Sequence, residues 1–167
     1  GEWSPYTSEK LEHFGEFTRV VSIVINEMGM DAKYRFYPWN RCFEMVKAGH
    51  AWAAFPYSYT EDRADKVWFS DSLGCSRTVF FYYETSNVPA QFSYEHISDL
   101  KPYAIGGVSG YFYKNKFKKA GLKVYYLYKE TEALKALKKG WIDLMPLNER
   151  VGWELINTHH PADKHRF

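Results

Sequence analysis

FEMVKAGHAWAAFPYS, residues 43–58, is one half of the pattern that decides the fold, and its counterpart is LKALKKGWIDLMPLN, residues 134–148. Each reads as a helix with apolar residues at helical spacing, a Lys-x-Gly stop, and a short apolar run ending in proline and polar groups. A helix that stops on glycine and hands over to a buried strand is a building unit of α/β architecture. One such unit in each half predicts two α/β lobes. In folds of this kind ligands gather at the carboxyl ends of the strands, which directs attention to the polar loops after Phe55 and Leu147.

The same grammar extends in both directions. GEFTRVVSIVINEMG (15–29) repeats apolar residues at Phe17, Val20, Val21, Val24 and Met28, the stripe of an amphipathic helix closed by Gly29. DAKYRFYP (31–38) alternates as a short strand, and Pro38 opens the next helix. AWAAFPYS (51–58) and RTVFFYYE (77–84) read as strands covered on both faces. After TSNVPAQFS (85–93) the pattern restarts: strand YAIGGV (103–108), helix SGYFYKNKFKKAG (109–121), strand LKVYYLY (122–128), a helix capped by Thr131 and stopped at Gly140, strand WIDLMPL (141–147), and helix ERVGWELI (149–156). The restart puts the first lobe at residues 1–86, incomplete as an α/β unit, and the second at 87–167.

Composition narrows the function. Hydrophobic residues make up 46% and charged residues 25%, an ordinary globular balance, but the aromatic share of 19% is high. Flat amphipathic rings suit stacking and cation recognition. Residues 1–102 carry 10 Lys and Arg against 14 Asp and Glu, whereas residues 103–167 carry 12 against 6. The excess lysines lie opposite apolar residues at helical spacing, so they read as a solvated helix face and no nucleic-acid partner is expected. No apolar run is long enough for a membrane span, and no signal-peptide pattern opens the chain, which says nothing against export.

Cys42 and Cys75 lack metal-ligand spacing, as do the adjacent His159 and His160, so no metal and no cofactor are expected. Two separate buried thiols and a single disulfide both fit the cysteines. No serine-histidine-aspartate order, H-E-x-x-H or phosphate-binding loop of Walker type is present. GGVSG (106–110) is a strand-to-helix turn, either a nest of backbone amides or simply a tight turn.

With these motifs in view, the chain resembles the bacterial extracellular solute-binding proteins of family 3, the amino-acid-type receptors of ABC importers. The likeness is carried by EWSPYTS (2–8), FYPWNRCFEMVKAG (36–49), TEDR (60–63) with the FS that follows, ISDLKPYAIGGVSGYFY (97–113) and LKKGWIDL (137–144). It implies a type 2 periplasmic-binding-protein fold, two α/β lobes with a ligand cleft between them, in a chain trimmed at both ends. It also implies export behind a signal peptide to the periplasm, or to the cell surface on a tether, and a monomer that hands a small solute to an ABC permease. No catalysis is required. Two other roles occur on this scaffold: a cyclohexadienyl-dehydratase-like enzyme, needing a cleft acid such as Glu149 or Asp143, and the sensor domain of a signalling receptor.

The resemblance assigns ligand contacts residue by residue. Arg63 matches the arginine that grips a ligand carboxylate, against the plainer reading of surface pairs with Glu61, Asp62 or Asp65. Tyr6 matches the aromatic that covers the ligand, while Phe55, Tyr57, Ser58 and Tyr59 fall on the strand end that presents backbone and hydroxyl groups. Ser109, Tyr111 and Phe112 follow the second-lobe strand, and Trp39 sits at a helix start, where core and ligand wall compete as readings. Two positions depart from the amino-acid receptors: Asn148 stands where an aspartate commonly holds the ligand ammonium, and Phe112 where a hydroxyl commonly donates. An asparagine supplies no charge to a desolvated ammonium. A polar, carboxylate-bearing solute in an aromatic-lined site is therefore the expectation.

Overall fold

The computed structural model describes residues 1–167. The chain divides into two compact units, Gly1–Cys75 and Ser76–Phe167. The division falls before the expected 86/87 because RTVFFYYE pairs within the second unit. No helix is long and apolar enough to cross a membrane.

In the first unit, α1 (Glu16–Glu27) and α2 (Trp39–Lys47) form where the periodicity predicts them. Gly29 and Gly49, just beyond their ends, have φ of 71° and 72°, left-handed conformations that glycine adopts without a Cβ penalty. Pro38 is the N-cap of α2 and not its first helical residue. The two predicted strands do not form. Residues 31–37 and 52–59 run outside any helix or strand and make no backbone-to-backbone hydrogen bonds. Periodicity identified these stretches, but a strand needs a neighbour to pair with.

Burial reflects this. Among the buried hydrophobic residues of the chain, Ile25 alone comes from the first unit. The expected stripe of α1 is largely uncovered, with Val20, Val24 and Met28 exposed. Aromatic contacts do much of the packing: Tyr6 stacks on Phe17 at 4.8 Å, Phe14 meets Tyr34 and Phe36, and Tyr34 meets Phe55 edge-on. Cys42 is half-buried and directs its thiol at the Tyr37 carbonyl. Cys75 is exposed, contrary to the buried reading, and both thiols are free.

The second unit holds the core. β1 (Thr78–Phe81) pairs antiparallel with β4 (Met145–Asn148), and β2 (Ile105–Val108) pairs parallel with β3 (Val124–Leu127). A parallel bridge between Ile105 and Leu144 joins β2 to the approach of β4. α4 (Lys114–Lys119), α5 (Glu130–Lys138) and α6 (Glu149–His159) complete the unit. Leu134, Leu137, Leu144, Leu147 and Ile156 are fully buried. α5 begins one residue before the expected cap: Lys129 is the N-cap, and Thr131 lies inside the first turn. The strands are parallel where a helix crosses between them and antiparallel where the chain returns to close the sheet.

Candidate functional site

In the first unit the candidate residues gather around Tyr57. Its hydroxyl donates to the Trp39 carbonyl at 2.6 Å, and its ring meets Trp39 edge-on at 5.5 Å and Phe43 at 5.9 Å. Burial pushes the Tyr57 phenol far above the ordinary range, so it stays a neutral donor. The guanidinium of Arg63 lies 5.0 Å from the centre of that ring, and its Nη1 donates to the Ser58 carbonyl at 2.7 Å. Arg63 sits in the short helix α3 (Glu61–Ala64), whose amides bond back to Thr60. Sequence therefore folds Tyr57–Arg63 into a hook that holds a cation against an aromatic face. Burial lowers the Arg63 pKa somewhat, but a guanidinium stays charged at any physiological pH.

The other first-unit candidates divide. Tyr59 is 66% exposed and touches Phe69 edge-on, and Ser58 is also exposed. Tyr6 is sandwiched between Trp3 and Phe17, a packing role. Phe55 is half-buried against Tyr34 and lies on the wall of a cavity in this unit, separated from the hook in sequence by Pro56 alone.

In the second unit the candidates sit at the carboxyl end of β2, beside β3. The Ser109 amide donates to the Leu127 carbonyl at 2.9 Å, carrying the pairing one residue past the strands. Gly110 then turns at φ 89°, a conformation that favours glycine, and Tyr111 and Phe112 follow. The helix beyond begins only at Lys114, so GGVSG reads as a tight turn and not as a helix-terminal nest. Phe112 is 37% exposed. Tyr113, buried and unremarked in the sequence, accepts from the Val108 amide at 2.8 Å and fixes the loop from below.

Asn148 is 4% exposed, and its Oδ1 caps α6 by accepting from the Val151 amide at 3.0 Å. That is a structural use of a side chain expected to meet ligand. Glu130, which sequence reasoning missed, accepts a 2.6 Å hydrogen bond from the Tyr111 hydroxyl. Its carboxyl pKa is raised by burial, opposed in part by that bond. A glutamate in the first turn of a helix is commonplace, so spacing alone gave no reason to single it out.

The two acids that a catalytic reading needs are both engaged. Oδ1 of Asp143 accepts from the backbone and side chain of Asn87 at 3.3 and 3.1 Å, while Oδ2 accepts from the Ala104 amide at 2.8 Å. Glu149 makes a two-pronged pair with Arg77 at 2.9 and 2.6 Å, which holds its carboxyl below the usual range. No group of three or more His, Cys, Asp or Glu is arranged to hold a metal ion.

No family model and no curated protein matches the sequence. Solved structures do match. The arginine-, lysine-, histidine-binding protein ArtJ from the thermophilic bacterium Geobacillus stearothermophilus superposes with a TM-score of 0.77 at 17% identity, over 97% of this chain and 69% of that one. A histidine kinase sensor domain with similarity to periplasmic binding proteins gives 0.76 at 17% identity, over 96% and 70%. An ancestral arginine-binding protein bound to arginine gives 0.73 at 19% identity, over 96% and 72%. The chain thus has the α/β fold of periplasmic binding proteins, as its motifs led one to expect.

Proposed function

We propose that this chain binds a small carboxylate-bearing solute outside the cytoplasm and delivers it to an ABC importer. The observation that supports this reading best is the hook at Tyr57–Arg63, where a guanidinium is braced by the Ser58 carbonyl and laid against the Tyr57 ring. A braced guanidinium grips a carboxylate with little further loss of side-chain freedom. The fold agrees, since solved structures sharing it include binding proteins for arginine and related amino acids. Within the second unit, Ser109, Tyr111 and Phe112 are the residues we assign to solute, and within the first unit the Trp39 carbonyl anchors the Tyr57 hydroxyl. No chemistry on the ligand is part of the proposal, because Asp143 and Glu149 are both committed to structural partners.

Sensing is the second reading, favoured by the likeness to a kinase sensor domain. Ligand recognition is the same in both readings, and only the partner differs. The deciding experiment is a thermal-shift screen of carboxylate solutes followed by calorimetry. A ligand at 100 times its dissociation constant adds about 2.7 kcal/mol of stability. Binding confined to solutes without an acidic group would sink the proposal.

A further inference from the structure

Residues 100–129 contain seven lysines and no arginine, histidine, aspartate or glutamate. All seven lysines are exposed, and none is paired with a carboxylate. The acids that bound the run are turned elsewhere: Asp99 accepts from the amides of Glu95 and His96, and Glu130 accepts from the Tyr111 hydroxyl. The run is therefore a block of uncompensated positive charge in a chain whose formal net charge is only +2.

The second unit gathers this charge around one strand. β3 bonds to β2 alone and is the outer strand of its sheet. α4 leads into it carrying four of the lysines, Lys101 lies against the turn at Gly121, and Lys123 and Lys129 stand at the two ends of the strand. Three tyrosines are exposed among them: Tyr125, Tyr126 and, at 86%, Tyr128. The ammonium of Lys123 lies 5.3 Å from the centre of the Tyr125 ring, and that of Lys114 lies 5.9 Å from the centre of Tyr126. Lysine is a common way to blunt a sheet edge, and this accounts for Lys123 and Lys129. It leaves the lysines of α4 and the uncovered rings without a use.

We propose that the face formed by α4 and β3 docks on an anionic phospholipid bilayer. The residue types select that partner. Interfaces between proteins are enriched in arginine and depleted of lysine, whereas every cation here is a lysine. A lysine is a point charge on a flexible stem that needs no fixed partner geometry, which suits a fluid layer of phosphates. Tyrosine, with an apolar ring and a polar hydroxyl, sits well at headgroup level. The contact is peripheral, because no helix is long and apolar enough to cross a membrane. It does not depend on which solute the chain binds.

The test sediments the full chain with vesicles of equal parts phosphatidylglycerol and phosphatidylcholine, and with phosphatidylcholine alone, at about 0.15 M salt. Binding is expected to the anionic vesicles only, and it should vanish at about 1 M salt, where charges are screened beyond about 3 Å. Each lysine near an anionic surface contributes about fivefold, so Lys118→Gln, Lys119→Gln and Lys123→Gln combined should weaken partitioning about a hundredfold. A control combining Lys10→Gln, Lys33→Gln and Lys66→Gln removes the same charge from exposed positions of the first unit and should bind like the parent. Unfolding midpoints establish that both variants are folded. Absence of binding to anionic vesicles, equal loss in the two variants, or undiminished binding after Lys118, Lys119 and Lys123 are changed would overturn the proposal. Polyglutamate or duplex DNA bound as tightly as the vesicles at equal charge would also overturn it, by making the partner an acidic protein or a nucleic acid.

Discussion

The phenol of Tyr111 donates to Oε1 of Glu130 across 2.6 Å, tying the loop after β2 to the first turn of α5. The bond links a residue proposed to face solute with a carboxyl whose pKa burial raises above the ordinary 4.5. A raised folded-state value means that folding favours the protonated form. That contribution to stability is complete below the unfolded value and is lost as pH rises through the folded value. Glu130→Gln keeps an acceptor for Tyr111 and cannot ionise. Urea midpoints measured from acidic to neutral pH should fall less steeply in this variant than in the parent. Parallel curves would show that the carboxyl is not desolvated.

Arg63→Ala is expected to weaken an acidic ligand by about 2–5 kcal/mol, the range for removing one partner of a buried charge pair. Arg63→Lys keeps the charge but loses the planar fork, so it should fall between parent and Ala. Calorimetry with a solute taken from the thermal-shift screen provides the check. Unchanged affinity in a folded Arg63→Ala protein would reduce Arg63 to a clasp for Ser58.

Asp143 gathers Asn87 and Ala104 onto one carboxylate that is 8% exposed. Removing it strands buried donors, so Asp143→Ala should cost about 2–3 kcal/mol of unfolding free energy while leaving solute affinity near the parent value. Denaturant titration and calorimetry together separate this from a ligand-contact role, in which affinity would collapse before stability did.

Asn148 serves α6 as its cap, and Asn148→Ala should therefore cost about 1 kcal/mol. Asn148→Asp preserves the capping oxygen and adds charge beside the helix amino end, where a carboxylate is favoured. Its stability is expected to match the parent or exceed it at neutral pH. A substantially less stable Asn148→Asp would mean that the buried amide group, not the cap, is what the site requires.

Gly152 packs directly under the ring of Phe81: a Cβ built there would lie 2.4 Å from the ring carbons. Alanine is the better helix former by about 1 kcal/mol, but overpacking against a buried ring costs about 1–3 kcal/mol. Gly152→Ala should thus lose up to about 2 kcal/mol net, read from the shift in unfolding midpoint.

How much of this was legible in the sequence varies by element, for physical reasons. Helices α1, α2, α5 and α6 were readable because a 3.6-residue stripe and a terminal glycine are local signals that need no partner. The stretches DAKYRFYP and AWAAFPYS carried strand character but no ladder, since pairing is a property of neighbours. RTVFFYYE was recognisable as a strand, yet its allegiance to the second unit depends on β4, far along the chain. Arg63 was singled out through a motif, whereas Glu130 and Tyr113 became visible only once the loop after β2 was in place. Asn148 was read as a ligand contact because its position matched one. In the structure its Oδ1 accepts from the Val151 amide, a use that the motif did not announce.

The pairing of Thr78 with Asn148 has a temporal side. β1 leaves the ribosome about 4–14 s before its partner strand, at the usual pace of about 5–20 residues per second. Through that interval Val79, Phe80 and Phe81 have a strand edge and no sheet. β4 then arrives with α6 directly behind it, and Gly152 supplies the flat place on which the Phe81 ring comes to rest. The first strand of the second unit to be made is the one that waits for its last strand, so a nascent chain paused before Met145 exposes an aromatic β-edge to whatever chaperone or aggregate meets it first.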